Sequence, residues 1–161
     1  MVRELGVLEG STSVLPGGPL VNSFVHKTLV VELQAGVADR FPVLAHLGYD
    51  PSDPFAVTIV FSHDGRVLAR WQLDREMVAE GLTRPVGTGD VRLRPESRGV
   101  GRELRMEFLG EAHADGGRHH AVVFAWAQTI GDFLHETHRL VPPGHEEVRV
   151  DDFLADVLTG N

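Results

Sequence analysis

Two runs of alternating hydrophobicity, joined by an Asp-Gly turn and followed at once by a helix start, constrain this chain more than any other feature. Phe55, Val57, Ile59 and Phe61 share one face of a strand, because successive side chains point to opposite sides. His63-Asp64-Gly65-Arg66 supplies a hairpin turn built on an Asp-Gly pair. Val67, Ala69, Trp71 and Leu73 form the return strand, and antiparallel pairing sets large apolar side chains across from one another. Asp74 then stands as an N-cap, with Leu73, Met77, Val78 and Leu82 on one side of a short helix that Gly81 terminates. Such a unit is a sheet with a helix packed on it.

The same alternation recurs along the chain. Leu29, Val31 and Leu33 alternate with Thr28, Val30 and Glu32, and a second strand lies around Phe41–Leu47. Tyr49-Asp50-Pro51-Ser52-Asp53-Pro54 reads as a turn, since proline fixes φ and aspartate satisfies nearby amides. After Gly87-Thr88-Gly89, strands resume at Val91 and Leu93, at Leu104, Met106 and Phe108, and near His119–Phe124, with Asp115-Gly116-Gly117 as a second hairpin signal. Trp126, Ile130, Phe133, Leu134 and Thr137 follow at helical spacing, and a last short helix is expected over Asp151–Leu158. Strands followed by a helix, twice, imply an α+β fold of antiparallel sheets or a partly closed barrel, with a short C-terminal helix. The order also suggests a loose internal duplication, although no residue-level repeat supports it. Residues 1–23, broken by Pro16-Gly17-Gly18-Pro19, read as a flexible N-terminal extension, either an extended arm or a misplaced start. Residues 24–161 read as one domain.

Composition narrows the functional classes. With 161 residues and 42% hydrophobic content, one domain with a sizeable core is expected. Cysteine is absent, which excludes disulfides and thiolate chemistry, and the formal charge of −8 disfavours a general polyanion binder. No apolar run approaches the ~20 residues that span a bilayer. A soluble cytoplasmic protein without membrane insertion is expected.

Candidate chemical motifs are incomplete. His135-Glu136-Thr137-His138 falls one residue short of the HExxH spacing that sets two ligands and an acid on one helix face, and no third ligand is evident. His119 and His120 point to opposite faces of a strand. Gly87-Thr88-Gly89-Asp90 lacks the ending of a phosphate loop and precedes a strand, so a tight turn explains it. No serine occupies a strand-to-helix elbow. Catalytic, cofactor-binding and metal-binding residues are therefore none, and no cofactor is expected.

One charge cluster stands out. Arg92, Arg94, Arg98, Arg102 and Arg105 are five of the fifteen Lys and Arg, opposed locally by Glu96 and Glu103 alone. They read either as a solvated hairpin face or as a docking surface for an acidic partner, with nucleic acid a third occupant. Five acids between Glu146 and Asp156 give the C-terminus the opposite polarity, so charge segregation alone allows a head-to-tail ring of identical subunits.

Three blocks, Tyr49–Val57 (YDPSDPFAV), Asp74–Pro95 (DREMVAEGLTRPVGTGDVRLRP) and Val141–Glu146 (VPPGHE), resemble in order and spacing those of the SsgA-like proteins of mycelial actinomycetes. The matching positions are Tyr49, Asp50, Asp53, Pro54, Ala56, Val57, Trp71, Arg75, Ala79, Gly81, Leu82, Pro85, Gly87, Gly89, Asp90, Val91, Arg92, Pro95, Pro142, Pro143 and Gly144. Most read as turns, caps and a core tryptophan. The chain departs from the family pattern in its N-terminal extension and in the Arg98–Arg105 hairpin. The resemblance implies a homotrimeric whirly-like fold. It also implies a non-enzymatic adaptor in sporulation-linked cell division, cytoplasmic and at the septum, that recruits FtsZ, another division protein or another SsgA-like protein. The alternative is a single-stranded nucleic-acid binder of the same fold. That reading needs exposed aromatics for base stacking, whereas those of the eleven aromatics that the pattern places lie mostly on expected core faces.

Overall fold

A computed structural model describes residues 23–112 and 114–147. The extension at residues 1–22 and the helix expected over Asp151–Leu158 lie outside them. Four strands, β1 (Val25–Ala35), β2 (Asp39–Tyr49), β3 (Ala56–His63) and β4 (Arg66–Asp74), precede α1 (Arg75–Gly81). Four more, β5 (Val86–Thr88), β6 (Val91–Arg98), β7 (Gly101–Ala112) and β8 (Arg118–Trp126), precede α2 (Ala127–Leu140). All eight form one antiparallel sheet in the order β4-β3-β2-β1-β8-β7-β6-β5, a half-barrel with β4 and β5 at its edges. Two four-stranded meanders join where β1 pairs with β8, through Glu32–Phe124 and Leu33–Val123.

Both helices pack on one face of the sheet. That face carries Val31, Val43, Leu47, Ile59, Leu93, Leu104, Met106 and Phe108, which close with Val78 of α1 and Ile130, Phe133 and Leu134 of α2 into a continuous buried cluster. Each large apolar side chain so buried contributes about 1.5–3 kcal/mol. The opposite face bears no helix among the described residues.

Asp64 and Gly65 both have positive φ, the primed turn whose twist matches its flanking strands. Asp74 caps α1 as expected, its carboxylate accepting from the Met77 amide at 2.9 Å.

Four expectations needed correction. Val67 does not continue the buried face of β4. A bulge between Phe61 and Ser62 pairs Val67 with Ser62 and turns it to the helix-free side. Phe55 precedes β3 and is exposed. Gly81 is the last residue of α1, and the C-cap Leu82 keeps right-handed φ. Glycine is required there because a Cβ would lie 2.7 Å from the Leu93 Cβ, so helix and strand touch backbone to side chain. Trp126 is not on the buried face of α2: it is the extended N-cap residue, 49% exposed, with its ring over Gly101.

Candidate functional site

The side chain of Arg75, at the start of α1, is 2% exposed and reaches three acceptors. Its Nη1 donates to the carbonyls of Thr137 (3.2 Å) and Val141 (2.8 Å) at the end of α2, and its Nη2 donates to Glu146 Oε1 at 2.5 Å. A cation at the end of a helix also meets the negative pole of its dipole. The guanidinium carbon is 5.0 Å from the Tyr49 ring centroid. Tyr49 Oη donates to the Pro54 carbonyl (3.0 Å), and the Arg75 amide donates to the Phe55 carbonyl (2.7 Å). The hydrogen bond from Arg75 holds Glu146 below the usual carboxylate range, and burial pushes the Tyr49 hydroxyl up. His138 is held below its ordinary value by burial first and by the charge of Arg75 second.

On the helix-free face a second network forms around Glu103, which is 3% exposed. Arg40 donates to both Glu103 oxygens and to Glu32, each at 3.1 Å, and its guanidinium lies 3.4 Å over the Phe124 ring. Arg98 donates to Glu32 and, at 3.2 Å, to Glu103. Burial raises the Glu32 pKa, but hydrogen bonds from Arg40 and Arg98 outweigh it and leave the group below its ordinary value. Farther along, Arg105 pairs with Glu107 and, at 3.8 Å, with Glu96, which is also 4.0 Å from Arg94.

These contacts place each arginine of the sequence cluster. Arg92, Arg94, Arg98 and Arg105 share the helix-free face, and three of them are paired. Arg102 pairs in register with Ser97 and belongs to the other side of the sheet. Two opposing carboxylates escaped a local reading: Glu107 just beyond the segment, and Glu32, 66 residues from Arg98 in sequence. The hairpin is therefore close to neutral on this face.

The remaining candidates do not converge. Among the described residues no three metal-ligating side chains come together, and His135 points outward. His120 meets Glu107 at 3.5 Å, on the other side of the strand from His119. Gly89 has φ +58° in the β5–β6 turn, as a tight turn requires. Asp74, Glu76, Met77, Glu80 and Arg84 rim an open hollow of about 360 Å³, where Arg84 is occupied by Glu80. A chain that sequence reading missed runs across three strands: Thr28 Oγ1 to His46 Nδ1 at 3.0 Å, and His46 Nε2 to Ser62 Oγ at 2.9 Å. It has a nucleophile and a base but no carboxylate to orient the imidazole, and it lies on an open sheet. Only strand register could have revealed it. No described helix is long and apolar enough to cross a membrane.

Residues 43–146 match the family described as Streptomyces sporulation and cell division protein, SsgA. The chain is 35% identical over 140 residues to the sporulation-specific cell division protein SsgB of Streptomyces coelicolor, covering 86% of this chain and 95% of that protein. It is also 35% identical to SsgB of Thermobifida fusca, covering 77% and 87%. The chain belongs to the SsgA family.

Solved structures agree with this SsgA-family fold. The crystal structure of the SsgA-like sporulation-specific cell division protein of Thermobifida fusca superposes with a TM-score of 0.73 at 27% identity, over 84% of this chain and 96% of that one. One from work on Streptomyces coelicolor SsgB, whose mutations correlate to longitudinal cell division during sporulation, gives 0.69 at 33%, over 80% and 97%. The three sequence blocks that resemble SsgA-like proteins meet at Arg75. Tyr49 and Pro54 come from the first, Arg75 with its cap Asp74 from the second, and Val141 and Glu146 from the third. In this SsgA-family chain they make a tertiary clasp.

Proposed function

We propose that this protein is a non-enzymatic adaptor of sporulation-linked cell division. It recruits or positions septation machinery, FtsZ or another SsgA-like protein, through protein–protein contacts at the septum. The observation that carries this reading is the 35% identity to SsgB of Streptomyces coelicolor over 95% of that protein's length. The association of SsgB mutations with longitudinal division supports a role in placing the division plane. The chemistry agrees in kind. The most buried charged side chains, Arg75 and Glu103, are tied into clasps within the fold, where they hold elements together. A rigid sheet that displays one face is suited to partner recognition. The protein acts as a homotrimer in the cytoplasm.

Co-sedimentation with FtsZ, run beside titrations of labelled single-stranded DNA and RNA at low salt, tests this reading. FtsZ should be retained or its polymers altered, with no micromolar nucleic-acid binding. Nucleic-acid binding without any effect on FtsZ would overturn it. The exposed rings of Phe24, Phe41, Phe55 and Trp126, of which Phe55 and Trp126 were expected on buried faces, make the nucleic-acid arm necessary. Sedimentation velocity checks the trimer.

A further inference from the structure

The helix-free face of the sheet divides by residue type along β1. On β6 and β7 it carries the arginine–glutamate pairs. On β1–β4 its charges are Glu32 and Arg40, which pair with each other at one margin, and Arg70 on β4. The pairings Val30–Leu44, Leu44–Ser62 and Ser62–Val67 set these residues in one rung across four strands. The β1–β8 register, carried two residues beyond Glu32–Phe124, brings Trp126 to the end of that rung. Val30 is 61% exposed, Leu44 41%, Val67 51% and Trp126 49%, while Ser62, between Leu44 and Val67, is buried. The neighbouring rung holds Thr28, His46, Val60 and Arg70. At about 4.8 Å between strands, the exposed rung spans roughly 19 Å.

Single exposed apolar residues need no explanation, but adjacent Leu44, Val30 and Trp126, with Val67 beyond Ser62, gather several on one sheet face, as an interaction surface does. Two details of the fold maintain this row. The β3–β4 bulge turns Val67 outward, and Gly101 leaves room for the Trp126 ring, since a Cβ there would lie 2.6 Å from it.

Charge specifies the occupant. The carboxylates bordering these rungs are Glu32 and Glu103, the strand partner of Trp126, and both are already held by Arg40 and Arg98. Arg70 has no ion pair among the described residues, and His46 lies in the same rung. A chain of formal charge −8 thus presents a patch that is apolar and, where charged, positive. In a two-fold contact a second copy would bring its own Arg70 against this one, whereas a contact within a trimer would not, so the oligomer arm of the test below decides against a second copy. A nucleic acid would need a basic groove, which the patch does not form.

We propose that the β1–β4 half of the helix-free face docks a partner-protein segment presenting large apolar side chains beside carboxylates. The inference rests on the adaptor reading and locates its contact surface away from the paired arginines of β6 and β7.

The test uses the full chain, ¹⁵N-labelled, titrated with a short soluble peptide of leucine and glutamate. Leucine–lysine and serine–glutamate peptides serve as controls. Amide shifts should centre on Val30, Leu44, Val60 and Arg70. Val30→Glu with Leu44→Glu should weaken binding by about tenfold or more, as expected for large apolar side chains denied burial. Arg70→Glu should weaken it severalfold, whereas Arg92→Glu with Arg94→Glu should leave it unchanged. Shifts elsewhere, equal binding of the leucine–lysine peptide, no binding, or retained affinity in the V30E/L44E protein would each overturn the proposal. So would dissociation of a wild-type oligomer by V30E/L44E, which would make a second copy the occupant. Failure stays distinguishable from that of the adaptor reading. If the wild type engages FtsZ and V30E/L44E does so equally, the surface is wrong and the adaptor stands. If the wild type does not engage FtsZ, the adaptor reading falls and the peptide titration alone decides the surface.

Discussion

Replacing Arg75 with methionine removes the clasp while keeping most of the side-chain volume. The wild-type guanidinium makes one hydrogen bond to a carboxylate and two to carbonyls, all under the α2 terminus. Hydrogen bonds to charged groups contribute about 1.5–3 kcal/mol each, and breaking a buried pair costs roughly 3–5 kcal/mol. Two features bring the value toward the lower end. Glu146 keeps the Gly144 amide at 2.7 Å, and the Thr137 carbonyl keeps the Val141 amide at 3.0 Å. The Val141 carbonyl loses its guanidinium donor. A loss of about 3–4 kcal/mol is expected, or roughly 10–15 °C in Tm for a domain of this size. Arg75→Lys should recover part of it, because an ammonium keeps the charge but not the planar fork that reaches both sides. Urea unfolding followed by far-UV circular dichroism measures this, with Glu146→Gln completing a double-mutant cycle. An R75M protein within 1 kcal/mol of wild type at unchanged m-value would refute the clasp as a source of stability.

Three further outcomes follow from the same geometry. Glu103→Ala leaves Arg40 and Arg98 without their shared buried carboxylate and should cost about 3 kcal/mol by urea unfolding; a loss under 1 kcal/mol would show that water replaces it. Gly81→Ala should destabilise by about 1–3 kcal/mol in a thermal melt, against the ~1 kcal/mol that helix propensity favours, because the new Cβ meets Leu93. Stability should fall with acid in two stages. His138 has a lowered folded pKa, so protonation favours the unfolded chain as pH drops below about 6.5. Glu32 and Glu146, also lowered, give stability that is complete above about 4.5 and lost below it. E146Q should flatten the lower limb of a pH–stability curve, and an unchanged limb would contradict the assignment.

What could be read from sequence follows the range of the interactions involved. The β3–β4 hairpin, the Asp74 cap and the α2 face were legible because their causes lie within a few residues: alternation, a side chain three residues from its amide, a 3.6-residue period. Val67 was misplaced by one bulge, since a single extra residue exchanges faces between the two sides of it, while Ala69, Trp71 and Leu73 beyond it kept the expected face. The arginine cluster was found, but its neutralisation was not, because Glu32 reaches it from another strand. The three SsgA-like blocks were visible as separate turns and caps, with nothing in any one of them to show that they share Arg75.

The α+β class, the family and the order of elements other than β5, which falls at Val86–Thr88 where a turn was expected, were thus set by the amino-acid string, since local periodicity and turn chemistry are written in consecutive residues. Only the tertiary structure decided which charges cancel, why Arg75 is buried, and that Val30, Leu44, Val67 and Trp126 line up on a bare face. Those outcomes depend on strand register between segments tens of residues apart, where a shift of one position exchanges core for surface.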